Sequence, residues 1–303
     1  MLSILWNSNT GWVLLSTMTL GIAAGAIGCM AYWKRQNLMS DVLSHAALPG
    51  VVIAFLLLGE KNLLVLIIGA AISALVGAFF IQWITTSSRI SEDSAMGMIL
   101  AVFYGMGIML LTIANRSAGG NQSGLDSFIF GQAAAMVRSD VVTMLILAVL
   151  VLLIVFIGFK EWKIYLFDQQ FAKGLGLSIQ SMSTLYTVVL VTTIVIGIQA
   201  VGVILMAALL IIPAVSARYW TQSFQMMIML SALFGGLSGV SGTLISTMGN
   251  GLPTGPFIVV VGAGFFMVSL IFGKEKGLLI NYIQYKFQQK KQMEVLKQEG
   301  GRL

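Results

Sequence analysis

Long apolar runs, interrupted at intervals by short polar clusters, set the pattern of this chain. The runs are continuous and do not alternate with period two, so they read as helices and not as the strands of a barrel. A helix needs about 20 apolar residues to cross a bilayer, and fewer where protein shields a break. On that measure, crossings are expected at residues 12–33, 38–58, 62–83, 94–114, 141–159, 184–200, 201–218, 222–245 and 255–272. Residues 185–217 form one apolar block, too long for a single crossing at about 1.5 Å per residue. It is therefore divided in two near Gln199–Gly202.

Composition sharpens this reading. The 303 residues are 58% hydrophobic and only 9% charged, with a mean hydropathy of +0.94. A soluble domain carries about 25% charged residues. The expected fold class is all-α, a polytopic membrane protein with about eight to nine transmembrane helices. With the C-terminus inside, alternation puts Lys34, Arg35, Arg89, Lys160, Lys163, Lys173 and Arg218 in the cytoplasm. Lys61, Arg116 and Arg138 fall outside, a bias that supports nine crossings with the N-terminus out. The formal charge of +6 comes largely from the C-terminal end. The expected division is a membrane domain over 1–273 and a basic cytoplasmic tail over 274–303. That tail suits a lipid surface or a protein partner better than nucleic acid. A single cysteine, Cys29, excludes an internal disulfide. The N-terminus lacks a charged leader, and its first apolar run reads as a crossing, not a cleavable signal.

Two loops read as more than connectors. "LDSFIFGQ", within the long outer loop, is amphipathic and is expected to form a short surface helix. Inside, "FDQQFAKGLGLSIQSMSTLY" places Phe167, Phe171 and Leu175 at helical spacing, with Asp168, Gln169 and Lys173 turned elsewhere. This segment is either an interfacial helix on lipid or a docking element for a soluble partner.

The chemistry concentrates in "SDVLSHAALPG", residues 40–50. A carboxylate in hydrocarbon costs several kcal/mol unless something compensates it. Asp41 and His45, the only histidine, are four apart and share one helix face. Oxygen plus imidazole nitrogen at that spacing suits manganese, iron or zinc better than calcium or magnesium. The alternative is a structural hydrogen bond steadying a helix break near Pro49. Cys29 precedes the turn "KRQN" by five residues and Asp41 follows it by four, which puts them at similar depth. A thiolate there would be a third ligand favouring zinc or a softer ion. Its alternative is helix packing beside "GAIG". Glu92 and Asp93 are expected to cap the fourth crossing. "GGLSGVSG" at 235–242 supplies small residues for close helix contact, and Pro213 implies a kink. No serine-protease motif accompanies the histidine, and no P-loop is present, so neither catalytic residues nor ATP hydrolysis are expected in this chain.

Several stretches carry a resemblance to a known family: "AGAIGCM", "LMSDVLSHAALPGVVIAF", "SEDSAMGMILAVFYGMGI", "FIFGQ", "FDQQFAKGLG" and "QAVGVILMAALLIIPAVSA". In this order they resemble the membrane permease subunits of ABC importers for manganese, zinc and iron. The resemblance implies a type II importer-like homodimer in the bacterial plasma membrane. It also implies a separate cytoplasmic ABC ATPase and an extracytoplasmic metal-binding lipoprotein, with no permanently bound cofactor. Asp41 and His45 would then line the path of the metal, manganese before zinc or iron. The segment carrying Phe167, Asp168, Phe171, Ala172, Gly174 and Gly176 would seat on the ATPase. Gln169 and Gln170 stand where acids are common in the family, and Ser40 stands before Asp41 where glycine is usual. Two other classes fit parts of the pattern: a gradient-driven metal transporter or channel, and an ABC permease for a metal chelate.

Overall fold

The computed structural model describes residues 8–58, 63–117, 131, 136, 138–248, 252–280, 282 and 286. Among these, all regular structure is helical, in the order α1 (Ser8–Trp33), α2 (Met39–Leu58), α3 (Leu63–Ser87), α4 (Glu92–Ser117) and α5 (Arg138–Ile157). There follow α6 (Phe159–Phe167), α7 (Gln169–Gly174), α8 (Ile179–Val201), α9 (Val203–Arg218), α10 (Phe224–Thr247) and α11 (Thr254–Phe272). Eight of them are long and apolar enough to cross a membrane, and α9 is a shorter apolar helix. Each expected crossing therefore has its helix. Of the expected amphipathic element "LDSFIFGQ", only Gly131 is among the described residues.

The divided block is where glycine matters most. α8 ends at Val201 and α9 starts at Val203, with Gly202 between them at φ 94° and ψ 161°. A residue with a Cβ rarely adopts that backbone, so glycine permits the sharp reversal. The start of α11 packs on the carbonyl of Val201 through Gly255. Tyr186, early in α8, and Arg218, ending α9, both lie against the end of α1, at Lys34 and Trp33. α8 and α9 thus form an antiparallel hairpin with its tip at the opposite face. At 1.5 Å per residue, the 16 residues of α9 reach about 24 Å, short of a full bilayer core. Its Leu209, Leu210, Ala214 and Ala217 are buried among neighbouring helices, which removes the need for a full lipid-facing length.

The centre of the bundle is the seam between α1 and α10. Gly21 and Gly235 approach so closely that a Cβ on either would collide with the other's backbone. The Ser231 hydroxyl donates to the Gly25 carbonyl at 2.6 Å, and the Thr17 and Thr243 hydroxyls bond at 2.9 Å. With lipid tails as apolar as leucine, such close packing and hydroxyl bonding supply the attraction between helices. Outward faces of α3, α4 and α5 expose large apolar side chains, including Ile68, Phe79, Val102 and Ile146. That is the surface of a multi-pass membrane protein.

Two local expectations are corrected. α4 begins at Glu92 with Asp93 in its first turn, but the capping oxygen is Ser91 Oγ, which accepts from Ser94 N at 3.3 Å. The acids complement the helix dipole, and Glu92 also accepts from the Gln36 side-chain amide. Second, Phe167, Phe171 and Leu175 do not form one helical stripe. α6 ends at Phe167 and Asp168 is extended, at φ −146° and ψ 91°. α2 runs unbroken through Pro49, and α9 through Pro213.

Candidate functional site

Asp41 sits in the first turn of α2, just inside the end of the bundle that carries Lys34, Arg35, Arg89, Lys160 and Lys163. Buried serines hold this turn: Ser44 Oγ donates to Ser40 O at 2.7 Å, and Ser40 Oγ to Asn37 O at 3.2 Å. From α3, Ser73 Oγ donates to Ala46 O at 2.7 Å. α2 is thereby fixed against its neighbours while one stripe stays open, and the Asp41–His45 pair lies on it.

His45 Nε2 stands 3.5 Å from Asp41 Oδ1, with side chains 17% and 40% exposed respectively. That separation is long for a hydrogen bond, so the two groups are aligned without consuming each other's capacity to bind. His45 Nδ1 is buried and has no hydrogen-bond partner. The imidazole meets the Tyr104 ring of α4 nearly edge-on, 4.8 Å between centroids at 76°. Tyr104 was not singled out from the sequence; its place in the stretch "AVFYGMG", on the exposed side of α4, was the available signal.

Cys29 is fully buried in α1. Among the described residues, no group of three or more His, Cys, Asp or Glu side chains is placed to hold a metal ion. Among the described residues, the His, Cys, Asp and Glu donors at this point are the pair alone. Two ligands on one face can contact a passing cation but cannot enclose it.

The second site is the loop at the basic end. α6 and α7 meet at Asp168, whose carboxylate accepts from Phe171 N at 2.8 Å and caps α7. α7 closes with Gly176 in the left-handed region at φ 82°. There Gly176 N donates to Lys173 O and Leu177 N to Ala172 O, both at 3.0 Å, a glycine-dependent stop that turns the chain sharply. Ser178 then caps α8, accepting from Ser181 N at 3.3 Å. Ala172 is buried and anchors the element. Phe171 and Leu175 are each 56% exposed, and Gly174 has open space beside it. Phe167 turns the other way and stacks at a tilt on Trp33, 4.7 Å between centroids. The loop therefore presents an apolar, glycine-opened knob outward while Phe167 holds it to the bundle.

The family model described as "ABC 3 transport family" matches residues 8–273. The manganese transport system membrane protein MntC of Bacillus subtilis is 45% identical over 280 residues, covering 92% of this chain. The chain spans 64% of the length of that relative. The zinc transport system membrane protein TroC of Treponema pallidum is 42% identical, with 95% of each chain covered. Among solved structures, PsaBC from Streptococcus pneumoniae in complex with Fab superposes with a TM-score of 0.80 at 31% identity. That alignment covers 94% of this chain and 98% of that one.

Proposed function

The chain belongs to the ABC 3 transport family, and we propose that it is the permease subunit of an importer that moves a divalent transition metal into the cytoplasm. The observation that carries the reading is the Asp41–His45 pair, aligned and partly open on an otherwise apolar crossing. Manganese is the first choice of cargo, then zinc, then iron. The names of the relatives at 45% and 42% identity support the first two. Intrinsic affinity would rank zinc above manganese at an oxygen–nitrogen site. Discrimination is therefore assigned to an extracytoplasmic metal-binding lipoprotein, while the permease offers a path of modest affinity.

A half-site of two ligands suits a homodimer, since two copies around a two-fold axis present four donors. The exposed face of α4 supports this arrangement. Gly97, Ala101 and Gly105 recur every four residues there, and a Cβ added to either glycine would meet no atom of the described residues within 4 Å. Small residues at that spacing let helices approach closely, and the same helix carries Tyr104 against His45. Four donors stabilise a dehydrating cation transiently, whereas a complete cage would retain it.

ATP hydrolysis is assigned to a separate cytoplasmic ABC ATPase, which the knob of Phe171, Gly174 and Leu175 would contact. Metal binding and ATP hydrolysis are then divided between subunits, and this chain is not itself an enzyme. Proteoliposomes containing the permease, its ATPase and the metal-loaded binding protein test the assignment. ATP-dependent accumulation of manganese is expected. Uptake without ATPase or ATP would support a gradient-driven carrier instead.

A further inference from the structure

The turn between α1 and α2, residues 34–38, lies within seven residues of Asp41, and its side chains reach several other elements. Trp33, the last residue of α1, packs on Phe167 at 4.7 Å, and its indole N–H donates to Met227 Sδ at 3.2 Å. The Arg218 guanidinium stands 5.1 Å over the same ring. Phe167 also meets Phe224 edge-on at 5.7 Å, and Phe224 stacks on Phe159 at 5.6 Å. Next in the turn, the Lys34 ammonium lies 4.3 Å from the Tyr186 ring centroid and 5.6 Å from that of Tyr165. Two residues on, the Gln36 amide donates to Glu92 at the start of α4. One short turn is thus held by α6, α8, α9, α10 and α4 together.

The turn itself is stiff. Lys34 N donates to Met30 O, Gln36 N to Ala31 O and Met39 N to Gln36 O, at 3.0, 3.0 and 3.1 Å. Arg35 is left-handed at φ 61°, a backbone that a residue with a side chain adopts when its surroundings impose it. A displacement of Phe167 is therefore passed through Trp33 into a rigid connection that continues as the first turn of α2.

Resting on the coupling reading above, we infer that the α1–α2 turn is the lever between the ATPase-facing loop and the Asp41–His45 pair, with Trp33 as its positioning residue. Packed side chains and stiff elements carry such coupling when they join two moving parts, and here both parts are joined through one ring. Lys34 and Gln36 guide the turn from its other sides. None of these residues touches the metal; they set where Asp41 and His45 stand.

The test measures manganese uptake and ATP hydrolysis together in liposomes containing the assembled complex. Trp33→Ala is expected to keep hydrolysing ATP while moving about five- to tenfold less manganese per ATP. Trp33→Phe, which keeps a ring against Phe167, should restore most of that ratio, a rescue that simple loss of stability would not produce. Lys34→Ala should lower the ratio in the same direction. An unchanged ratio in Trp33→Ala overturns the lever; if that variant does not assemble, an unchanged ratio in Lys34→Ala does so. Gly174→Trp on the outward knob separates the two readings. Hydrolysis unaffected by it removes the docking assignment and the lever with it. Reduced hydrolysis there, beside an unchanged ratio in the turn variants, removes the lever alone.

Discussion

The ring of Tyr104 stands edge-on to the imidazole of His45, 4.8 Å between centroids, and joins α4 to the polar face of α2. The contact between the two residues is one of ring against ring. Tyr104→Phe should transport metal at close to the wild-type rate, whereas Tyr104→Ala should lower uptake several-fold by freeing His45 to turn. Initial uptake rates at saturating metal and ATP distinguish the two. Equal loss in both variants would assign the hydroxyl a role of its own.

Cys29 is expected to belong to packing. It is fully buried, and no third donor joins Asp41 and His45 among the described residues. Competition between manganese and zinc for uptake should be the same in Cys29→Ser as in the wild type. A shift of preference from zinc toward manganese would make the sulfur a ligand.

The seam between α1 and α10 should tolerate little added volume. Gly21→Leu forces a side chain into the backbone of Gly235, and overpacking of this kind costs about 1–3 kcal/mol or more. The expected result is a sharp fall in the amount of folded protein extracted from the membrane, with no specific change in metal preference in what remains. Thermal unfolding in detergent, followed by size-exclusion, measures it.

The loop at the basic end depends on its two caps. Asp168→Ala removes the acceptor for Phe171 N and should weaken α7 by about 1 kcal/mol. Gly176→Val must enter a left-handed backbone that glycine alone adopts freely. Both variants should insert normally and show reduced ATP hydrolysis by the assembled complex. Normal hydrolysis in both would mean that the shape of this loop does not matter to the ATPase.

The helices were legible because each crossing is a long apolar run, and a bilayer requires such runs of any helical span. Even the hairpin tip could be read, since the block 185–217 is too long for one crossing and its division near Gln199–Gly202 falls where Gly202 turns the chain. The Asp41–His45 alignment followed from a spacing of four on one helix. Phe167 was misread because periodicity cannot register a helix that stops and restarts across a single residue; the Asp168 cap decides that. Tyr104 offered only its place in "AVFYGMG", and neither Trp33 nor Arg218 gave a local sign of the contact it makes. Their partners, at His45, Phe167 and the Trp33 ring, are far along the chain and meet only when the bundle closes.

The central claim is that the metal passes the Asp41–His45 pair, and uptake by single-residue variants tests it most directly. Asp41→Asn and His45→Ala should insert, assemble with the ATPase and hydrolyse ATP, because removing a costly polar group from an apolar crossing does not hinder insertion. ATP-dependent manganese accumulation in proteoliposomes should nevertheless be lost in both. Wild-type accumulation in either variant would contradict the account.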